Sequence, residues 1–214
     1  RENHSGRACA LLHSETNTGR DHRIVFTYLT GQYDNLGDAL LRRAMVEELS
    51  DLGEWRVYVG RAPQDYIDSL RLPPESTTFR SPVRWLTHAM IAMMRYRRSV
   101  FIMNPGEISS SPHEFFWGLI SATLMGVGRV LGNPGFRLGV GARDRQRPFS
   151  LGHELASRVA RRNVWRDPVS RDLFRRGVVA PAWAFALSAD APMADSPRDL
   201  LCLRSRVDKV WTSF

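Results

Sequence analysis

Cysteine is scarce in this sequence: there are two, Cys9 and Cys202. They form no CxxC pair and join no cluster of metal-ligating residues, so neither a disulfide framework nor a zinc site is implied. Lysine is scarcer still, with Lys209 the single one among 30 basic residues and arginine supplying the rest. Long apolar runs are missing too. Residues 88–94 are far too short to cross a bilayer, and 115–128 run uncharged for only 14 residues between Glu114 and Arg129. A spanning helix needs about 20 residues, so a buried core helix is expected there. Residues 1–22 lack the apolar centre of a secretory signal and are expected to form a disordered tail. There is no internal repeat, no low-complexity run, no GxxxxGK[ST] and no GxGxxG.

What is present suits a folded protein. The 214 residues are 43% hydrophobic, enough to bury a core in one sizeable α/β domain or two small ones. The formal net charge is +8. Such a balance fits binding of nucleic acid, anionic lipid or phosphorylated substrates, and it equally fits an arginine-rich solvated surface. No RNP motif, zinc-finger spacing or basic-region heptad is present, so no specific nucleic-acid partner is expected.

Apolar patterning alternates between strand-like and helical. Residues 23–29 (RIVFTYL) form a β-branched and aromatic run that predicts a buried strand. Residues 30–37 (TGQYDNLG) predict a loop. Over 38–52 the apolar positions Leu41, Met45, Val46, Leu49 and Leu52 are spaced as on a helix, with Asp38 as N-cap and Gly53 as terminator. Further strands are predicted at 55–59, 99–103, 137–141, 163–165 and 200–203. Further helices are predicted at 63–70, 82–97, 113–131, 150–162 and 168–176, and 104–112 (NPGEISSSP) reads as a loop. This order implies a parallel sheet with helices on both faces, a Rossmann-like α/β domain over 23–187. The Pro-rich stretch 180–197 is expected to lead out of it, and 188–214 to be a linker and the start of a second domain.

In an open α/β sheet the ligand lies beyond the carboxyl ends of the strands. The loops 30–38, 104–112 and 141–147 are predicted there. In the first, glycines allow close backbone approach. The following helix turns its N-terminal N–H groups to the same space, a setting that favours an anion or equally describes a capped helix after a tight loop. Gly106 and the hydroxyls of Ser109, Ser110 and Ser111 add donors from the second loop.

These residues resemble a known family. The strand followed by TGQYDNLGDALL resembles the opening of the polysaccharide pyruvyl transferases, a glycine loop followed by N-x-G-D and a helix. WRDPVSRDLFRRGV at 165–178, followed by Ala184-Phe185-Ala186-Leu187, resembles a second segment near the end of that family's first domain. The likeness covers residues 23–187. It implies the N-terminal half of a two-domain enzyme like the GT-B glycosyltransferases. Such an enzyme transfers the enolpyruvyl part of phosphoenolpyruvate to a sugar diol as a ketal. Phosphoenolpyruvate would be the donor substrate, with no other cofactor and no metal. The acceptor would be a glycan or lipid-linked saccharide of cell-surface polysaccharide synthesis. The location would be cytoplasmic, with peripheral contact to anionic membrane.

By the same resemblance Gly31, Asn35, Gly37 and Asp38 line the cleft, with Gly106 and Glu107 in place of a glycine-rich acidic loop. Arg166 and Asp167 shape its lip as a structural ion pair and helix start, or Arg166 meets the donor carboxylate, since guanidinium suits a planar carboxylate. There are departures. The family's paired glycines are here Asn104-Pro105-Gly106-Glu107, and Pro181-Ala182-Trp183 lacks the acidic residue before Ala-Phe. The six histidines, His4, His13, His22, His88, His113 and His153, all precede Leu187, so none supplies the Arg-x-His element of the family's second domain. The resemblance therefore implies that this chain alone lacks the catalytic half, and it names no catalytic residue. The alternative is a non-catalytic domain that holds a glycan or a partner chain. Arg158, Arg161, Arg162, Arg166, Arg171, Arg175 and Arg176 form a basic stretch, either a solvated helix face or a contact for anionic glycan, lipid pyrophosphate or membrane.

Overall fold

A computed structural model describes residues 23–96, 98–180 and Trp183. The predicted tail 1–22, the strand 200–203 and the segment 188–214 lie outside the described residues. Eight strands form one sheet: β1 (Arg23–Tyr28), β2 (Gly53–Tyr58), β3 (Thr77–Phe79), β4 (Ser99–Met103), β5 (Gly106–Ile108), β6 (Gly135–Ala142), β7 (Arg162–Trp165) and β8 (Val178–Val179). The helices are α1 (Leu36–Leu49), α2 (Gln64–Ser69), α3 (Pro82–Arg95), α4 (Pro112–Val130), α5 (Leu151–Val159) and α6 (Pro168–Phe174), and a 3-10 turn (Ser50–Leu52) follows α1.

The strand order is β3-β2-β1-β4-β6-β7-β8, and every pairing is parallel. The fold is Rossmann-like α/β, as the alternation predicts. β4 pairs with the first half of β6 and β5 with its second half, so the two follow each other beside β6 with a break at Asn104-Pro105. Strand β5 thus interrupts the loop predicted over 104–112.

Two cores flank the sheet. Val25 and Leu29 of the first strand segment join Val100, Ile102, Phe136 and Leu138 on the face that packs against α1 and α2. Phe26, Tyr28, Phe101 and Met103 point to the other face, which packs against α3, α4 and α6. Alternation along a strand produces this division. In β6 the parity reverses: Phe136 and Leu138 serve the first core, Val140 and Ala142 the second. The register shift between Leu138 and Val140 is the cause, since one inserted residue sends all later side chains to the opposite face. The bulge turns the last residues of β6 toward α6. Trp183 plugs the first core and donates its indole N–H to the carbonyl of Leu138 at 3.2 Å, so the domain extends at least that far into the stretch predicted as a connector.

The chain runs from β1 to β2 on one side and enters β4 on the other. β1 and β4 are neighbours, so the topological switch point lies between them. Whatever follows β1 and β4 meets there.

Candidate functional site

Asn35, not Asp38, caps α1. Its backbone is extended, and its Oδ1 accepts from the N–H groups of Gly37 at 3.0 Å and Asp38 at 3.4 Å. The helix therefore starts two residues before the predicted position, and Asp38 sits in its first turn. From there Asp38 Oδ2 accepts from the backbone N–H of Gln32 at 3.3 Å and tethers the loop to the helix start. The cap engages the Gly37 and Asp38 N–H groups. The backbone donors predicted to attract an anion are thus already in use.

The positive charge at the switch point comes instead from Arg42, which sequence reasoning missed. Its guanidinium is buried, donates to the carbonyls of Asp38 at 2.8 Å and Thr30 at 3.0 Å, and pairs with Asp38 Oδ2 at 3.1 Å. Its Nε has no partner. The visible signal was a charged residue in the apolar stripe of α1, four positions after Asp38. Gly31 lies directly on this guanidinium: a Cβ there would fall 2.6 Å from Arg42 Cζ and 2.8 Å from Nη1. Asn104, at the end of β4, donates to the same Thr30 carbonyl at 3.0 Å. At Gly106 a Cβ would stand 3.6 Å from both Arg42 Nη2 and Asn104 Oδ1. Gly31, Asp38, Arg42, Asn104 and Gly106 are therefore one contiguous group.

Glu107 leads to a second group. Its carboxylate accepts from Arg143 Nε at 2.8 Å and from Arg166 Nη2 at 3.2 Å. Partial burial works to raise the Glu107 carboxyl, but hydrogen bonds and charge from Arg143 and Arg166 outweigh it and hold the pKa below its usual value. Glu107 is thus held ionised and is not a proton donor near neutral pH. Gly141, late in β6, lets Arg166 lie across the strand, for a Cβ there would come within 2.8 Å of Arg166 Nη2. Arg166 Nε also approaches Asp167 Oδ2 at 3.6 Å. Asp167 caps α6 through Ser170, whose Oγ in turn accepts from the backbone N–H of Ala142 at 2.7 Å. Asp167 is the helix start, as one of its two readings has it.

Of the predicted serine donors, Ser111 caps α4 through the N–H of Glu114, and Ser110 Oγ accepts from the N–H of Gln146. Ser111 thus starts the helix, and Ser110 ties its loop to the one after β6. Asn35 and Gly37 serve the start of α1, while Gly31, Asp38 and Gly106 meet at Arg42 and Glu107 meets Arg166. The edge is charge-balanced: each guanidinium described here faces a carboxylate. Two clefts of the described surface run along α5 and α6. At this edge Glu107 occupies the N–H donors of Arg143 and Arg166.

Among the described residues no group of three or more His, Cys, Asp or Glu side chains could hold a metal ion. No described helix is long and apolar enough to cross a membrane. No protein-family model, no curated protein and no solved structure matches the chain.

Proposed function

We propose that this domain forms one wall of the ligand cleft in a polysaccharide pyruvyl transferase-type enzyme. In this reading it holds phosphoenolpyruvate, or the glycan or lipid-linked saccharide that accepts the pyruvyl group, at the carboxyl edge of the sheet. One observation carries the reading. Residues picked out by two motifs at opposite ends of the domain, Gly31 and Asp38 in one and Arg166 in the other, lie at one sheet edge and flank Gly106-Glu107. The donor carboxylate would take the place of Glu107 on Arg143 and Arg166, where planar guanidinium matches planar carboxylate. Buried Arg42, paired with Asp38, would hold the Gly31 loop in place beneath the site. Because the ligand displaces an existing carboxylate, affinity in this domain should be weak, on the order of millimolar, about −4 kcal/mol. The setting would be the cytoplasmic side of the envelope, where an activated donor of this kind is used.

A second reading is a non-catalytic glycan- or partner-binding domain. It is favoured by the complete pairing of charges at the edge and by the ionised state of Glu107. Titration of phosphoenolpyruvate against backbone amide signals tests the first reading. Shifts at Gly31, Gly106 and Glu107 in about 0.15 M salt are expected. If those three residues stay silent both at saturating donor and with a phosphorylated glycan acceptor, the pyruvyl transferase reading is wrong.

A further inference from the structure

A second cleft lies between α5 and α6. It has a volume of about 260 Å³ and is bounded by Arg145, Glu154, Ser157, Arg158, Phe174 and Arg176. It separates α5 from the end of α6 and shares no lining residue with the Glu107 cluster, although Arg145 on its rim follows Arg143 in the loop after β6. Three arginines face one carboxylate, and that carboxylate is already committed: Glu154 pairs with Arg145 at 3.0 Å and Arg147 at 3.3 Å and accepts from Ser150 Oγ at 3.0 Å. Arg145 also donates to the Leu173 carbonyl, which fixes it against α6. Arg158 and Arg176 are exposed, and among the described residues neither has a carboxylate partner. The wall holds a further polar residue. Ser157 is buried, and its Oγ has no hydrogen-bond partner in the protein. Buried hydroxyls are nearly always satisfied, so such an orphan calls for a partner.

We infer that the cleft between α5 and α6 binds a phosphate group, best a pyrophosphate or phosphate monoester of a small molecule, through Arg158, Arg176 and the Ser157 hydroxyl. The charge excess selects an anion. Two unpaired arginines suit an oxyanion with several acceptor oxygens and more than one negative charge, such as a phosphate, which each guanidinium fork contacts through paired N–H donors. The volume falls below the roughly 300–1,000 Å³ of pockets that enclose whole drug-sized ligands, so it fits a phosphorylated head rather than a saccharide. This site does not depend on the pyruvyl transfer reading, since none of its residues belongs to the edge cluster.

The test uses inorganic pyrophosphate as probe in about 0.15 M salt, where exposed charges more than about 8 Å apart are largely screened. Saturable amide shifts at Ser157, Arg158 and Gly177 are expected. Arg158→Gln/Arg176→Gln should weaken binding roughly tenfold or more, by the loss of charge-assisted hydrogen bonds. Ser157→Ala should weaken it severalfold. Arg84→Gln/Arg129→Gln, which removes the same charge from exposed positions elsewhere, should bind as the parent does. All three variants change side chains whose loss leaves no buried charge unpaired, and far-ultraviolet circular dichroism checks that each is folded. Absence of saturable shifts in the parent overturns the inference, as does an equal loss in the Arg84/Arg129 control. Sedimentation with phosphatidylglycerol vesicles separates the sources. Vesicle binding displaced by pyrophosphate means that the site takes a lipid phosphate, and no vesicle binding means that it takes a soluble one. Vesicle binding that pyrophosphate leaves untouched, with no saturable shifts, identifies general surface charge and overturns the inference.

Discussion

Replacing Gly31 with alanine puts a methyl group where a guanidinium already lies. The new Cβ would sit 2.6 Å from Arg42 Cζ and 2.8 Å from Nη1, well inside contact distance. A long side chain usually yields at its far end, but this one is pinned. Arg42 is buried, and its two terminal nitrogens bond to Thr30 O, Asp38 O and Asp38 Oδ2. Moving it breaks charge-assisted bonds in a dry site, while moving the loop strips Gln32 N–H from Asp38. Either response resembles overpacking and should cost about 1–3 kcal/mol. At a urea slope of about 2 kcal/mol per M that is a fall of roughly 0.5–1.5 M in the unfolding midpoint. A double-mutant cycle isolates the cause. In an Arg42→Ala background the obstacle is gone, so Gly31→Ala should cost within about 0.5 kcal/mol of nothing, leaving a coupling energy of about 1–3 kcal/mol. Equal costs in both backgrounds would refute the contact between the first loop and Arg42.

Gly141→Ala meets Arg166 in a similar way but should behave differently. Arg166 is 31% exposed and can swing into solvent, so urea unfolding should show a loss under about 1 kcal/mol, while phosphoenolpyruvate binding weakens measurably. Asp38→Asn keeps an acceptor for Gln32 N–H but leaves the buried guanidinium of Arg42 without its counter-charge. A loss of about 1–3 kcal/mol in the same assay is expected, and a loss under about 0.5 kcal/mol would show that the pair is idle. Glu154 titrates at about 2, lowered chiefly by its hydrogen bond to Arg145 against the opposing effect of burial. Its folded pKa lies below the ordinary 4.5, so its contribution is complete above pH 4.5 and is lost as pH falls from there toward 2. Thermal unfolding from pH 6 to 2 should therefore show a loss of about 1–3 kcal/mol that Glu154→Gln largely removes.

The alternation of strand and helix was legible because the central strands are buried on both faces. RIVFTY and SVFIM read as continuous apolar runs, and such runs are hard to mistake. β3, β5 and β8 were not legible, being two or three residues long with at most one buried side chain. The bulge in β6 was not read from the sequence, because β6 is buried along its whole length and shows no polar–apolar alternation whose break would reveal the shift. At the site, the placement of Gly31 and Gly106 at the carboxyl edge followed from loops predicted after strands, while Arg166 was assigned to the cleft through the family resemblance. Two features escaped. Asn35 and Asp38 are both good caps, and the choice between them rests on backbone geometry rather than residue type. Arg42 was hidden because helical patterning was read from apolar positions alone, whereas the buried face of α1 includes this arginine. The Glu107–Arg166 pair joins residues 59 apart, and no local rule finds such a partner.

The affinity for phosphoenolpyruvate of two single variants, measured by amide titration, tests the central claim most directly. If the donor carboxylate replaces Glu107 on Arg143 and Arg166, the two changes must act with opposite sign. Glu107→Gln frees both guanidiniums and removes a repelling charge, and should tighten binding by roughly three- to tenfold, the size of one partly exposed charge pair. Arg166→Gln should weaken it by a similar factor. Weaker binding in Glu107→Gln, or parental affinity in both variants, would contradict the claim that guanidinium exchange at the carboxyl edge is how this domain holds its ligand.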